Sequence, residues 1–174
     1  MEVNLSKSKC MTVSRDRKTN DTYNINSVSL ESVSTYKYLG VHISSTLTWR
    51  PHILYVTNKA SRTLGYLRRN FSRAPLSVKT VLYKTLVIPK LEYAAAVWDS
   101  NRVTLALMIK SIQNRAARFI LGNYSRTASV SAMKNTLGLP DLAIRRKVIR
   151  LSFFHKIFYH NSPLRQSLIT EPTC

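Results

Sequence analysis

The stretch Tyr36-Lys37-Tyr38-Leu39-Gly40-Val41-His42-Ile43 divides the chain into two kinds of sequence. Aromatic and β-branched residues dominate it with a period near two, so it reads as a β-strand. Gly40 is out of place in a plain strand. A glycine there loses packing and marks a bulge, or a spot where another backbone comes close. Before this stretch the sequence reads as short strands with turns; after it, as basic helices.

Upstream, residues 1–9 read as a loop or a short helix end. Cys10-Met11-Thr12-Val13-Ser14 and Tyr23-Asn24-Ile25-Asn26 read as short strands flanking a polar turn. Val28, Leu30 and Val33 carry an extended pattern on to Tyr36. The expectation is a small antiparallel sheet over the first 45 residues.

Downstream, the period changes. From His52 to Phe71, the residues Ile53, Val56, Ala60, Leu64, Leu67 and Phe71 recur at helical spacing and form one apolar stripe. Lys59, Arg62, Tyr66, Arg69 and Arg73 recur roughly opposite it, so one face packs and the other presents cations around an aromatic ring. Pro75 suits the first position of a second helix carrying Val78, Val81, Leu82, Leu86 and Val87, which Pro89 should kink or end. Residues 91–98 are apolar nearly all round and are expected to be buried, with Glu92 as a paired structural acid. Ser100 or Asn101 can cap a third helix with Leu105, Ile109, Ile112, Ala116 and Ile120 inward, stopped by Gly122. Residues 129–137 form a short helix. Asp141 caps a last long one, in which Ile144, Val148, Leu151 and Phe158 are expected to pack. Arg145, Arg146, Lys147 and Arg150 crowd its first turns, where cations oppose the helix dipole, which points to a partner for them.

Charge is the loudest signal. The 174 residues carry 27 Lys+Arg against 8 Asp+Glu, a formal net charge of +19. Between Glu31 and Glu92, and again between Asp99 and Asp141, there is no acid. The cations alternate with apolar residues, so they belong to folded faces, and a polyanion is the natural partner. Two cysteines do not make a disulfide framework, and no run approaches the ~18 apolar residues of a membrane span. With no apolar signal core at the N-terminus, an intracellular protein, nuclear or cytoplasmic, is expected.

Sites for chemistry are scarce. No acids are spaced to hold a metal, the four histidines lie far from either cysteine, and the four glycines are too scattered for a phosphate loop. No serine sits in a glycine-flanked elbow. On its residues alone, the chain binds and does not catalyse, and no cofactor or metal site is expected in it.

Several words of the sequence, in order, resemble the C-terminal part of the reverse transcriptase of non-LTR (LINE-type, jockey-like) retrotransposons. Asn4-Leu5-Ser6-Lys7-Ser8-Lys9 is similar to the palm motif that carries a lysine, with Ser8 where the family more often has Cys or Thr. Tyr36-Lys37-Tyr38-Leu39-Gly40-Val41 resembles the primer grip. Trp49-Arg50-Pro51-His52-Ile53, Lys59-Ala60 and Leu67-Arg68-Arg69-Asn70 resemble the first thumb helix. Leu86 to Ala94, Val97-Trp98-Asp99, Gln113 to Phe119 and Arg145 to Leu151 resemble the segments that follow.

The resemblance implies an α+β, mostly α fold: short N-terminal antiparallel strands followed by a basic helical thumb bundle. It implies three parts: a palm remnant with the lysine motif and primer-grip hairpin (1–48), the helical thumb and following helices (49–160), and a flexible tail (161–174). Lys7 would serve as general acid toward departing pyrophosphate, but only with an intact palm. Tyr38, Leu39 and Gly40 would support the primer end. Lys9, Lys59, Arg62, Arg69, Arg73, Arg115, Arg118, Arg145 and Arg146 would contact an RNA–DNA hybrid or other duplex without sequence preference. The fingers and the palm turn with its two metal-binding aspartates would lie upstream. A full-length family enzyme would use Mg²⁺ there, so this chain by itself is expected to be an inactive, truncated polymerase fragment that could pair with the missing palm and fingers. Three other readings remain open. One is a helix-turn-helix DNA binder reading bases with Gln113 and Asn114. Another is a protein-interaction module, and the last a decayed reading frame.

Overall fold

The computed structural model describes residues 4–13, 22–100 and 102–168. The chain divides into two compact units, Met1–Tyr55 and Val56–Cys174. The fold is α+β and mostly helical, with the short strands confined to the first unit.

The first unit begins with a 3-10 turn, Leu5–Lys7, capped by Asn4, whose Oδ1 accepts from Lys7 N at 3.3 Å. Strands β1 (Lys9–Cys10), β2 (Asn24–Ile25), β3 (Val28–Ser29), β4 (Glu31–Ser32), β5 (Thr35–Tyr38) and β6 (Val41–Ser44) follow. They pair two by two: β2 with β3 and β5 with β6 antiparallel, and β1 with β4 parallel. The single antiparallel sheet expected here is thus replaced by three separate ladders, one of them parallel. Ser14 and most of the polar turn expected after it lie outside the described residues.

The stretch Tyr36–Ile43 is two strands, not one. Tyr38 pairs with Val41, and the intervening Leu39 and Gly40 have φ of 44° and 85°. Two positive φ values in a two-residue loop make a type I′ turn, whose twist matches the flanking strands. Gly40 therefore answers a turn requirement and marks no bulge. Asn26 and Ser27, at φ 49° and 64°, close the β2–β3 hairpin in the same way.

Helix α1 spans Arg50–Asn70, and the boundary between the units falls within it. In the second unit its Ala60, Leu64 and Leu67 are fully buried, as the stripe predicts. Pro75 is the N-cap of α2 (Leu76–Leu82), one place earlier than expected. Pro89 does not end the helix. A π turn over Tyr83–Val87 precedes it and α3 (Ile88–Glu92) carries it, so the widened turn takes up the residue that lacks an N–H. Lys90 Nζ donates to Leu86 O at 2.7 Å, serving a carbonyl of that turn.

Ala94, at φ 54°, separates α3 from α4 (Ala95–Trp98). Leu91, Ala95 and Trp98 are buried while Tyr93 and Val97 are exposed, so residues 91–98 are only partly the interior segment expected. Helix α5 (Val103–Leu121) buries its predicted residues and ends at Gly122 in a Schellman motif: Asn123 N donates to Arg118 O and Gly122 N to Phe119 O. Its N-cap is Arg102, while Ser100 Oγ accepts from Arg102 N; Asn101 lies outside the described residues. Ser129 caps α6 (Val130–Thr136) and Asp141 caps α7 (Leu142–His160). Helix α8 (Ser162–Leu168) occupies much of the expected flexible tail. Its side chains are exposed.

The core of the second unit gathers Tyr83, Val87, Leu91, Trp98, Ile109, Ile112, Ala116, Ile120 and Leu142, with α5 packing on α2, α6 and α7. Helix α7 turns a different face inward from the one expected. Leu142 and Arg146 are buried, whereas Ile144, Val148 and Leu151 stay exposed. Among the described residues, no helix is long and apolar enough to cross a membrane.

Candidate nucleic-acid interface

Lys59, Arg62 and Arg69 stand exposed along α1, Arg73 just beyond it, and Tyr66 among them is half exposed. The periodicity that buries Ala60, Leu64 and Leu67 forces these residues outward. Four of the chain's eight acids, Glu31, Glu92, Asp99 and Asp141, lie among the described residues, and all four are engaged within the chain. Glu31 pairs with Lys9, and Asp141 Oδ1 accepts from Ala143 N at 2.7 Å. Among the described residues no acid pairs with Arg62, Arg69 or Arg73. Beside them, Arg115 Nη1 donates to Ser61 Oγ at 2.9 Å, which brings one α5 cation onto α1. Arg118, one turn on, is half-buried, and its Nε has no hydrogen-bond partner. Arg68 also lies on this helix, its guanidinium 5.4 Å from the Tyr124 ring.

The α7 arginines require correction. Glu92 grips Arg145 with two bonds, Nε to Oε1 at 2.6 Å and Nη2 to Oε2 at 2.8 Å, and is the paired acid expected. The hydrogen bond to Glu92, reinforced by the carboxylate's charge, holds the Arg145 guanidinium pKa above its ordinary value. Arg146 is 2% exposed, donates from Nε to Asp99 Oδ1 at 2.9 Å, and lies 6.0 Å from the Trp98 ring. A duplex cannot reach it as it stands. Three of the four cations that oppose the α7 dipole, Arg145, Arg146 and Arg150, thus have acidic partners within the fold, while Lys147 stays exposed. Nearby, burial and then the Glu92 charge raise the Tyr83 hydroxyl pKa above its ordinary value.

In the first unit, Lys7 is exposed at the end of its 3-10 turn. Lys9 is turned to Glu31. Tyr38 and Leu39 stand 58% and 73% exposed at the hairpin tip, with Gly40 completing the turn. The hairpin is braced from below. Lys37 Nζ reaches Tyr55 OH at 3.3 Å, and the His42 and Tyr55 rings lie 4.5 Å apart. His42 N donates to Nδ1 of the fully buried His52 at 3.2 Å. Burial, and then the neighbouring His42, lower the His52 pKa to about 4. Burial also lowers that of His42, with Lys37 adding to the effect.

Gln113, the expected base reader, is buried and donates to Pro140 O at 2.8 Å, so α5 does not present it to a groove. Among the described residues, no three His, Cys, Asp or Glu side chains cluster as metal ligands. The Mg²⁺ implied by the resemblance has no ligand set among the described residues.

The chain is thus mostly helical α+β, with a basic face on α1 and a braced hairpin before it. Sequence comparison gives the kinship. Over 141 residues, 76% of this chain, it is 33% identical to the retrovirus-related Pol polyprotein from type-1 retrotransposable element R1 of Bradysia coprophila. It is 28% identical over 123 residues (69% of the chain) to a probable RNA-directed DNA polymerase from transposon X-element of Drosophila melanogaster. It is 27% identical over 150 residues (83%) to the RNA-directed DNA polymerase from mobile element jockey of Drosophila funebris. Over 69–83% of its length the chain is thus similar to RNA-directed DNA polymerases of non-LTR retrotransposons. It spans only 14%, 14% and 16% of the length of these relatives. No family profile and no solved structure matches it.

Proposed function

We propose that this chain is the palm-end, primer-grip and thumb region of a retrotransposon reverse transcriptase, and that it holds template–primer duplex without reading its sequence. The observation that carries this reading is the α1 face, where Lys59, Arg62, Arg69 and Arg73 stand exposed in one row. An RNA–DNA hybrid is close to A-form, and its wide minor groove is followed by shape and phosphate contacts. A row of flexible cations with one aromatic suits that task. The exposed Tyr38-Leu39-Gly40 tip would support the primer end, and Lys7 would act as general acid only beside a palm that holds the metal-binding aspartates.

The test is fluorescence anisotropy with a labelled RNA–DNA hybrid. Four phosphate contacts should weaken binding by roughly 100-fold between about 50 and about 200 mM salt. Replacing Lys59, Arg62, Arg69 and Arg73 together by Ala should remove most of that salt dependence. A curve that is flat in salt, or a quadruple variant that binds like the parent chain, contradicts the proposal.

A further inference from the structure

The second unit holds a cleft of about 390 Å³ between α5 and α7. On one side it is walled by Leu107 and Lys110, on the other by Arg146, Lys147 and Arg150, with Asp99 at its inner end. We propose that this cleft binds an acidic, apolar-bearing segment of another polypeptide. Its carboxylates would sit against Lys110, Lys147 and Arg150, and its apolar side chains would cover α5.

Three observations carry the assignment. The first is a charge that the fold leaves incompletely answered. Asp99 serves two guanidiniums, the buried Arg146 through Nε at 2.9 Å and the partly exposed Arg150 through Nη1 at 3.4 Å, so the longer contact leaves Arg150 with donors to offer. An incoming carboxylate oxygen is a charge-assisted acceptor for those donors. Second, Lys110 and Lys147 are exposed on the same rim, so the cleft attracts an anion before contact. Third, the α5 wall is apolar and lies open to water. Val103 is 71% exposed and Leu107 54%, which is unfavourable unless something covers them.

These features also select the occupant. Asp99 and Asp141 line the same cleft, so a run of phosphates meets two fixed negative charges, whereas a lone carboxylate can sit on the cationic side. A nucleic-acid backbone also brings nothing aliphatic for Leu107. A second copy of this chain is poorly suited as well, because its described acids are already engaged and it carries 27 cations against 8 acids. The partner is therefore a different polypeptide, offering carboxylates beside aliphatic side chains, a helix-in-groove mode of recognition.

The experiment titrates the full chain into a labelled amphipathic helical peptide built of Leu, Ala and Glu. The same peptide with every glutamate replaced by glutamine serves as the comparison. The acidic peptide should bind at least tenfold more tightly than the neutral one. Lys110→Glu combined with Lys147→Glu, and separately Leu107→Asp, should each weaken it at least tenfold, with circular dichroism unchanged because all three positions are exposed. The Lys59, Arg62, Arg69 and Arg73 to Ala variant should bind the peptide as the parent does, which separates this cleft from the duplex-binding face. Equal binding of the neutral peptide, or indifference to the cleft variants, overturns the proposal. So does displacement of the peptide by an RNA–DNA hybrid in that quadruple variant, which would make the cleft a nucleic-acid site. Concentration-dependent dimers in sedimentation that vanish with Leu107→Asp would assign the cleft to a second copy instead.

Discussion

His52 shows how one side chain couples the hairpin to pH. Its Nδ1 accepts from the His42 amide at 3.2 Å, so the bond exists only while the ring is neutral. Protonation would place hydrogen on the accepting atom and a charge in a site closed to water. The folded pKa of about 4 lies below the ordinary 6.5. The unfolded state therefore binds the proton first as pH falls, and stability declines between about pH 6.5 and 4. The full effect approaches about 3 kcal/mol near the lower limit, because each tenfold loss of proton affinity on folding is worth about 1.4 kcal/mol. The expected result is that amide exchange at His42 accelerates markedly from pH 7 to pH 5, after correction for intrinsic rates. In His52→Gln that extra acceleration should be lost. Identical pH profiles for the two proteins would refute the coupling.

At the scale of elements, Gly65 is the weak point of the helix that presents the cations. It sits inside α1, where glycine costs about 1 kcal/mol relative to alanine. A Cβ there would meet Arg69 Nη1 at 3.6 Å, an ordinary contact with the end of a flexible side chain. Gly65→Ala should thus raise stability by about 0.5–1 kcal/mol, read as a higher urea midpoint at unchanged slope. A lower midpoint would mean that the helix needs the missing side chain. Elements of this kind were legible in the sequence because their signals are local. The α1 and α5 stripes, Gly122 as helix stop and Asp141 as cap all lie within a few residues of what they determine. What the sequence misdirected was set from afar. Ile144, Val148 and Leu151 make a plausible buried stripe on α7, but Glu92 and Asp99, 53 and 47 residues away, draw Arg145 and Arg146 to their side and leave that stripe exposed. The Asn26-Ser27 turn was hidden because neither residue is glycine, and Leu39 takes a positive φ that its type gives no reason to expect. Of the candidate interface, the α1 cations could be read from spacing alone. The engagement of Arg146 and the cleft beside it depend on tertiary neighbours and could not.

For the molecule as a whole, one quantity governs both binding and stability. A net charge of +19 attracts a polyanion and repels itself. Salt should separate the two effects, because it screens both but their signs differ. Binding to duplex should weaken as salt rises, through counterion release. Stability should instead improve, since the Debye length falls from about 10 Å at 0.1 M to about 3 Å at 1 M and the exposed cations stop sensing one another. The internal ion pairs of Glu92 and Asp99 oppose this only weakly, because both carboxylates are largely buried and so poorly screened, at 10% and 11% exposure. The helical signal at 222 nm reports mainly the unit Val56–Cys174, which contains α2 to α8 and most of α1. Its thermal midpoint should rise by several degrees between low and high sodium chloride. RNA–DNA hybrid in excess at low salt should produce a comparable rise that salt then abolishes. A midpoint that falls with added salt would mean that attractive surface pairs outweigh the repulsion, and that the net charge of +19 does not govern stability.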